Sequence, residues 1–245
     1  AIVEQMTRED LEKEVAVLRD LESFDQLTRV YNRRAFDKKV EEAVASVRAP
    51  GERRKRLNFV MVDIDYFKSI NDLFGHDVGD DVLRGLGVVA KASVRDSDKV
   101  GRWGGEEFGI VIPNASAMDT VRIVDRIRAG LRNAMIPELS ALNDRNFVQG
   151  KLREFVDASL SGKKTEDDVT ATKVALIHQF RVQGFKDLPS NEAMMDMPLV
   201  ELPYDQLDRW VVTHSAGVSD YNAAQENPTE NMVLKADLAL YSAKE

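Results

Sequence analysis

An α+β fold, with a mainly antiparallel sheet flanked by helices, is predicted by three observations. Leu57–Ile64 is a near-continuous apolar run that reads as a buried central strand. Val100–Trp103 and Gly109–Ile112 are apolar runs on either side of Gly104-Gly105-Glu106-Glu107-Phe108, which reads as a β-hairpin with a two-residue glycine loop needing positive φ at its tip. Amphipathic helical patterns stand before, between and after these strands. The order through residue 132 is helix, strand, two helices, hairpin, helix. That is the split β-α-β arrangement of ferredoxin-like and palm-like sheets, in which strand ends gather acidic side chains at one edge.

Taken in order, residues 7–24 read as a charged helix whose Leu11, Val15, Leu18 and Leu21 form a narrow seam, suited to pairing with a second helix or to lying on its own domain. Asp25–Arg34 is a polar connection, and Phe36, Val40, Ala43, Val44 and Val47 then mark a helix face that Pro50-Gly51 ends. The strand over 57–64 delivers Asp63 and Asp65 at its C-terminal end, and alternate strand residues share a face. Phe67–Phe74 starts a short helix. Gly75-His76 breaks it, and Val82, Leu83, Leu86, Val89, Ala90 and Val94 stripe the next. After the hairpin, Ser116 and Asp119 resemble a capping box for a helix carrying Val121, Val124, Ile127 and Leu131.

Residues 133–208 break this pattern. Val148, Leu152, Phe155, Val156 and Leu160 suggest one helix and Val169, Leu176, Ile177 and Phe180 a second, so a helical hairpin is predicted. Pro189, Pro198 and Pro203 punctuate a loop containing Met194, Met195 and Met197. Trp210–Val218 then reads as a strand and Met232–Lys244 as a closing helix.

Composition narrows the function. A chain of 245 residues, 43% hydrophobic and 31% charged, can bury a sizeable core. Its net charge of -8 argues against a broad groove for a nucleic-acid polymer, while small anionic substrates remain open to a few local cations and a metal. The absence of cysteine rules out disulfides and thiolate metal sites and suits a reducing cytoplasm. No apolar run approaches the length of a membrane span. Cytoplasmic localisation is therefore expected; the chain starts at Ala1, so a longer protein could be tethered to a membrane, or carry a sensor domain, through residues preceding it.

The stretches that bear chemistry are Asp25–Phe36, Val62-Asp63-Ile64-Asp65-Tyr66-Phe67-Lys68, Asn71–Asp80, Gly104–Phe108 and Ala236–Lys244. Together, in this order and with these spacings, they resemble a GGDEF domain, the diguanylate cyclase family of bacterial signalling. The resemblance covers about residues 25–132 and 210–245. It implies a nucleotide-cyclase type of sheet, and condensation of two GTP into cyclic di-GMP with release of two pyrophosphates.

Residue by residue, the resemblance implies that Asp63, Glu106 and the backbone carbonyl of Ile64 hold Mg²⁺ or Mn²⁺, with two ions per active site. Lys68 and Lys244 would meet phosphate oxygens, and Glu107 would assist the attacking ribose hydroxyl. Gly104 and Gly105 would let backbone lie against substrate, beside Phe67. Asn71 and Asp80 match the family's guanine-reading positions: guanine offers N1–H and N2–H donors that a carboxylate accepts, and adenine lacks that pair. GTP is thus expected over ATP. Because the product has two identical linkages, a homodimer across a two-fold axis is expected, with the helix of residues 1–24 raising the local concentration of the second half-site. Arg95-Asp96-Ser97-Asp98 has the spacing of the family's inhibitory RxxD site, where Arg95 and Asp98, helped by Arg126, would grip cyclic di-GMP as inhibitor; a solvated helix end is the plainer reading of those residues.

The sequence departs from the family in two places. Residues 133–208 form an insertion within a domain spanning 25–245, read either as a neutral decoration or as a regulatory surface, since long surface insertions carry little thermodynamic penalty. The Gly-Arg-Asn that commonly follows Ala-Lys in the family is not reached before Glu245, which puts one phosphate contact in doubt. Two rival functions remain: a catalytically silent module that binds cyclic di-GMP, and a dimerisation scaffold built on the insertion.

Overall fold

The computed structural model describes residues 23–48, 56–132, 136–221 and 228–244. The helix expected over 7–24 lies outside them except for Ser23 and Phe24. The elements are α1 (Arg33–Arg48), β1 (Leu57–Ile64), α2 (Phe67–Phe74), α3 (His76–Ser93), β2 (Lys99–Arg102), β3 (Glu107–Pro113), α4 (Ala117–Arg132), α5 (Arg145–Leu160), α6 (Glu166–Val182), α7 (Asn191–Asp196), β4 (His214–Asp220) and α8 (Pro228–Lys244). The four strands form one sheet in the order β2-β3-β1-β4, with β3 antiparallel to both β2 and β1. This is the predicted α+β architecture.

By internal contacts the chain divides into two units, one of Ala1–Asp63, Ala90–Val124 and Ala216–Glu245, the other of Ile64–Val89 and Asp125–Ser215. In the first, Phe36, Val40 and Val44 of α1 pack with Phe59 and Met61 of β1 and with Met232, Ala236 and Leu240 of α8. Burying large apolar side chains of this kind contributes about 1.5–3 kcal/mol each. Phe36 needs a flat floor, which a cross-strand glycine pair supplies: Gly101 of β2 faces Gly109 of β3 in register, and an added Cβ on either would strike the Phe36 ring. Gly217 of β4 serves α8 in the same way, because a Cβ there would run into the Ala236 carbonyl and the Leu240 backbone nitrogen.

In the second unit the two helices predicted as a hairpin are present as α5 and α6, and each packs on α2. Asp144 caps α5 by accepting from the backbone N–H groups of Asn146 and Phe147, and a reciprocal Thr165–Asp168 capping box opens α6. Val148, Leu152, Phe155 and Val156 of α5 and Leu176, Ile177 and Phe180 of α6 are buried.

Several expectations are corrected. Leu160 is exposed at the end of α5, and on α4 Val121 is exposed while Val124, Ile127 and Leu131 of the predicted stripe are buried together with Ile123. The methionine stretch is not wholly a loop: Ser190 caps the short α7, which buries Met194. The returning strand starts at His214, not Trp210. Its upstream backbone is already satisfied, since Gln179 of α6 accepts from Val211 N at 2.8 Å and donates to Val211 O at 2.9 Å. A side-chain amide there takes the place of a neighbouring strand. Among the described residues no helix is long and apolar enough to cross a membrane.

Candidate active site

β1 ends on acid because its apolar run stops at Asp63, and the β1–β3 register sets Asp63 opposite Glu107. Opposed residues of an antiparallel pair share a sheet face. Asp63 is buried; Glu107 at the start of β3 and Glu106 just before it are half-buried. The connection between β2 and β3 differs from the predicted two-residue turn. It spans Trp103–Glu106, Glu107 O accepts from Trp103 N at 2.7 Å and Gly104 N at 3.2 Å, and neither Gly104 nor Gly105 has positive φ. With four connecting residues the chain reverses without a left-handed residue. A Cβ on Gly104 would stand 2.6 Å from Glu107 Oε2, the movable end of that side chain, whereas one on Gly105 would meet nothing within 4 Å.

Two residues of the segment read as a mere polar connection brace this loop. Arg33 lies over the Trp103 ring at 3.2 Å from its centroid and donates to Trp103 O at 3.0 Å. Phe36 and Phe59 meet the same indole edge-on. Asp25 accepts from Thr28 N and Thr28 Oγ1 and contacts Arg102 Nη1 at 3.3 Å, and Arg102 in turn donates to Gly105 O. Burial pushes the Asp25 carboxyl upward, but the Thr28 hydrogen bonds and the Arg102 charge outweigh it and hold the group below its ordinary value. The segment also lengthens the sheet edge, with Tyr31 bridging to Gly101. Pairing of single residues across distant sequence leaves no periodic signal, and the resemblance included this stretch without giving Asp25 or Arg33 a role. A cavity of about 630 Å³, lined by Arg33, Trp103, Glu107 and residues of α1 and α8, opens beside the acidic edge rather than at the residues expected to read guanine.

Those residues lie in the second unit. Lys68 stands exposed in the first turn of α2, between Phe67 and Asn71 of the same helix. Gly79 of α3 faces Asn71: a Cβ there would collide with Asn71 Oδ1 and stand 3.4 Å from Phe67 Cζ. Asp80 is the next residue, half-buried. Asp65 leaves the strand instead of sharing its face, because Tyr66 adopts φ 57 and turns the chain; Asp65 accepts from Ser215 Oγ at 2.7 Å. The Lys244 side chain lies outside the described residues.

Asp98 is buried and closes the turn by accepting from Arg95 N at 3.0 Å and Ser97 Oγ at 3.1 Å. Arg95 is exposed beside a cavity of about 250 Å³ whose other walls include Arg29, Tyr31, Lys91 and Lys99. Arg126 sits exposed on α4, in the other unit.

The chain belongs to the GGDEF family, whose model, described as "Diguanylate cyclase, GGDEF domain", matches residues 22–150. Response regulator PleD of Caulobacter vibrioides is 40% identical over 104 residues, which are 42% of this chain and 22% of that protein. Diguanylate cyclase A of Treponema denticola is 33% identical over 119 residues, 49% of this chain and 32% of that protein. The chain thus spans well under half the length of these relatives. The coiled coil and GGDEF domain of DgcB from Caulobacter crescentus, solved in complex with c-di-GMP, shares the fold with a TM-score of 0.61 at 20% identity, covering 96% of this chain and 87% of that one.

Proposed function

We propose that this chain condenses two GTP into cyclic di-GMP, releasing two pyrophosphates, as one half of a homodimer. The observation that carries this reading is the register pairing of Asp63 with Glu107, which puts two carboxylates at one strand end with the glycine loop immediately beside them. Asp63, Glu106 and the Ile64 carbonyl offer only oxygen donors, the chemistry that suits Mg²⁺ or Mn²⁺. Among the described residues no three His, Asp or Glu side chains converge as a metal cage. Two carboxylates and a carbonyl are nevertheless what an ion needs when substrate phosphates and water complete its shell. Bound there, the metal would neutralise charge developing on the phosphates.

The protein's own groups do the rest. Lys68, with Lys244, binds phosphate oxygens as a point charge, and Glu107 accepts the proton of the attacking 3′-hydroxyl. Asn71 and Asp80 hold guanine, with the Gly79 surface leaving room for the Asn71 amide. The Arg33–Trp103 stack and the Asp25–Arg102 pair keep the loop fixed, which lowers the reorganisation needed at reaction. Residues 25–245 act as the catalytic domain with 133–208 inserted, and residues 1–24 pair the two copies. Arg95 and Asp98, with Arg126, form an inhibitory product site; the cationic walls of the neighbouring cavity support that reading.

The test is incubation of the chain with GTP and Mg²⁺ beside Glu106→Ala, with chromatographic separation of nucleotides. Cyclic di-GMP from the parent alone is expected. Equal product from both proteins would remove Glu106 from the mechanism, and no product from either, with cyclic di-GMP still bound, would favour a silent binding module.

A further inference from the structure

The insertion reaches the lysine expected to hold phosphate. Lys68 Nζ lies 3.4 Å from Asp168 Oδ1 at the start of α6, nearer than Asp72 Oδ2 of its own helix at 3.8 Å. The contact belongs to a longer seam along α6. Ser69 Oγ donates to Ala171 O at 3.4 Å, and the His178 ring packs on Tyr66 with centroids 4.9 Å apart. His178 is itself fixed by a 2.9 Å hydrogen bond between Nε2 and Thr213 Oγ1. Tyr66 is a bulky residue in the left-handed region, a conformation that persists only where surroundings enforce it. The insertion therefore grips the turn between β1 and α2 at both ends of this seam.

We propose that Asp168 is an internal competitor for the phosphate of the substrate: its carboxylate occupies the Lys68 ammonium until a GTP phosphate displaces it, so the insertion sets nucleotide affinity. This rests on the phosphate-binding role of Lys68 proposed above. The pair suits exchange rather than permanent closure. The Lys68 side chain is 70% exposed, so an incoming phosphate can reach it without the insertion moving. An exposed ion pair of this kind is weak enough for a phosphate of higher charge to win. Asp168 does not depend on Lys68 for its place, because the Thr165 hydroxyl and backbone hold it in the capping box. It remains charged when Lys68 leaves.

The experiment is calorimetric titration of the whole chain with GTP and Mg²⁺, for the parent, Asp168→Asn, Lys68→Ala and the double variant. Asparagine keeps an oxygen that Thr165 N can use, so the cap survives while the charge goes. Asp168→Asn is expected to tighten binding about two- to fivefold at low salt, with the gain shrinking as ionic strength rises. In the Lys68→Ala background the same change is expected to do nothing. Thr165→Ala, which loosens the cap and leaves the charge, is expected not to tighten binding. Unchanged or weaker affinity in Asp168→Asn, or equal tightening without Lys68, overturns the proposal. If Lys68→Ala itself leaves affinity untouched, the phosphate role of Lys68 fails, and this inference falls with it; a null result confined to Asp168→Asn leaves that role standing.

Discussion

Arg102 donates two hydrogen bonds to the carbonyl of Gly105, at 2.7 Å from Nη2 and 3.1 Å from Nε, while its Nη1 meets Asp25. A residue at the end of β2 thus fixes the tip of the loop that carries Glu106, and a residue from the start of the domain fixes Arg102. Hydrogen bonds to charged groups contribute about 1.5–3 kcal/mol, so this brace is comparable to a large core side chain.

Replacing Arg102 by alanine is expected to lower stability by about 1.5–3 kcal/mol. The proposed cyclase activity is expected to fall about tenfold or more as the loop loses its orientation. Arg102→Lys keeps charge but cannot reproduce the fork, so it should recover only part of the loss. Urea denaturation with parallel rate assays checks this, and full rescue by lysine would show that charge alone matters.

The Asp25 carboxyl has a folded pKa held below its ordinary 3.8. Its ionised form therefore adds stability above the unfolded value, and that contribution is lost as pH falls below 3.8 and through the folded value. Asp25→Asn should be less stable than the parent near neutrality, and the gap should close in strongly acidic solution. Denaturation midpoints collected from pH 7 downward read this directly; a gap that stays constant would contradict it.

Gly79→Ala separates binding from stability. The colliding atom, Asn71 Oδ1, is the end of a side chain that can swing away, and alanine is a better helix former than glycine by about 1 kcal/mol. Melting temperature should change little, while the affinity for GTP falls because the Asn71 amide is displaced. A large loss of stability with normal affinity would argue against this geometry.

Gly217→Ala should behave in the opposite way. Its Cβ would meet the α8 backbone, which cannot yield as a side chain can, so destabilisation by about 3 kcal/mol or more is expected. A denaturation curve indistinguishable from the parent's would show that α8 does not pack on β4 as described.

The parts of the molecule that were legible in the sequence are those whose signal is local. The apolar run ending in Asp63 and the stripe of Val82, Leu83, Leu86, Val89 and Ala90 on α3 each occupy one short stretch, and each formed where its pattern placed it. The inaccurate expectations were those needing a distant partner. Trp210 lost its strand to Gln179, whose amide meets Val211 from 32 residues away. Lys68 gained Asp168 from 100 residues away. Asp168 is a capping residue of α6, and nothing in its sequence neighbours told that the cap would land on α2. The turn at Gly104-Gly105 failed for another reason: glycine serves positive φ and close approach alike, and its identity does not say which.

The most direct test of the central claim is a ³¹P NMR record of GTP incubated with the chain and Mg²⁺. The account predicts that the triphosphate resonances give way to pyrophosphate and one phosphodiester signal, with one cyclic di-GMP for every two pyrophosphates, and that Asp63→Ala leaves GTP intact. Release of inorganic phosphate with GDP as the initial products would contradict it, for the chemistry would then be hydrolysis at the γ-phosphate rather than attack by a ribose hydroxyl at the α-phosphate.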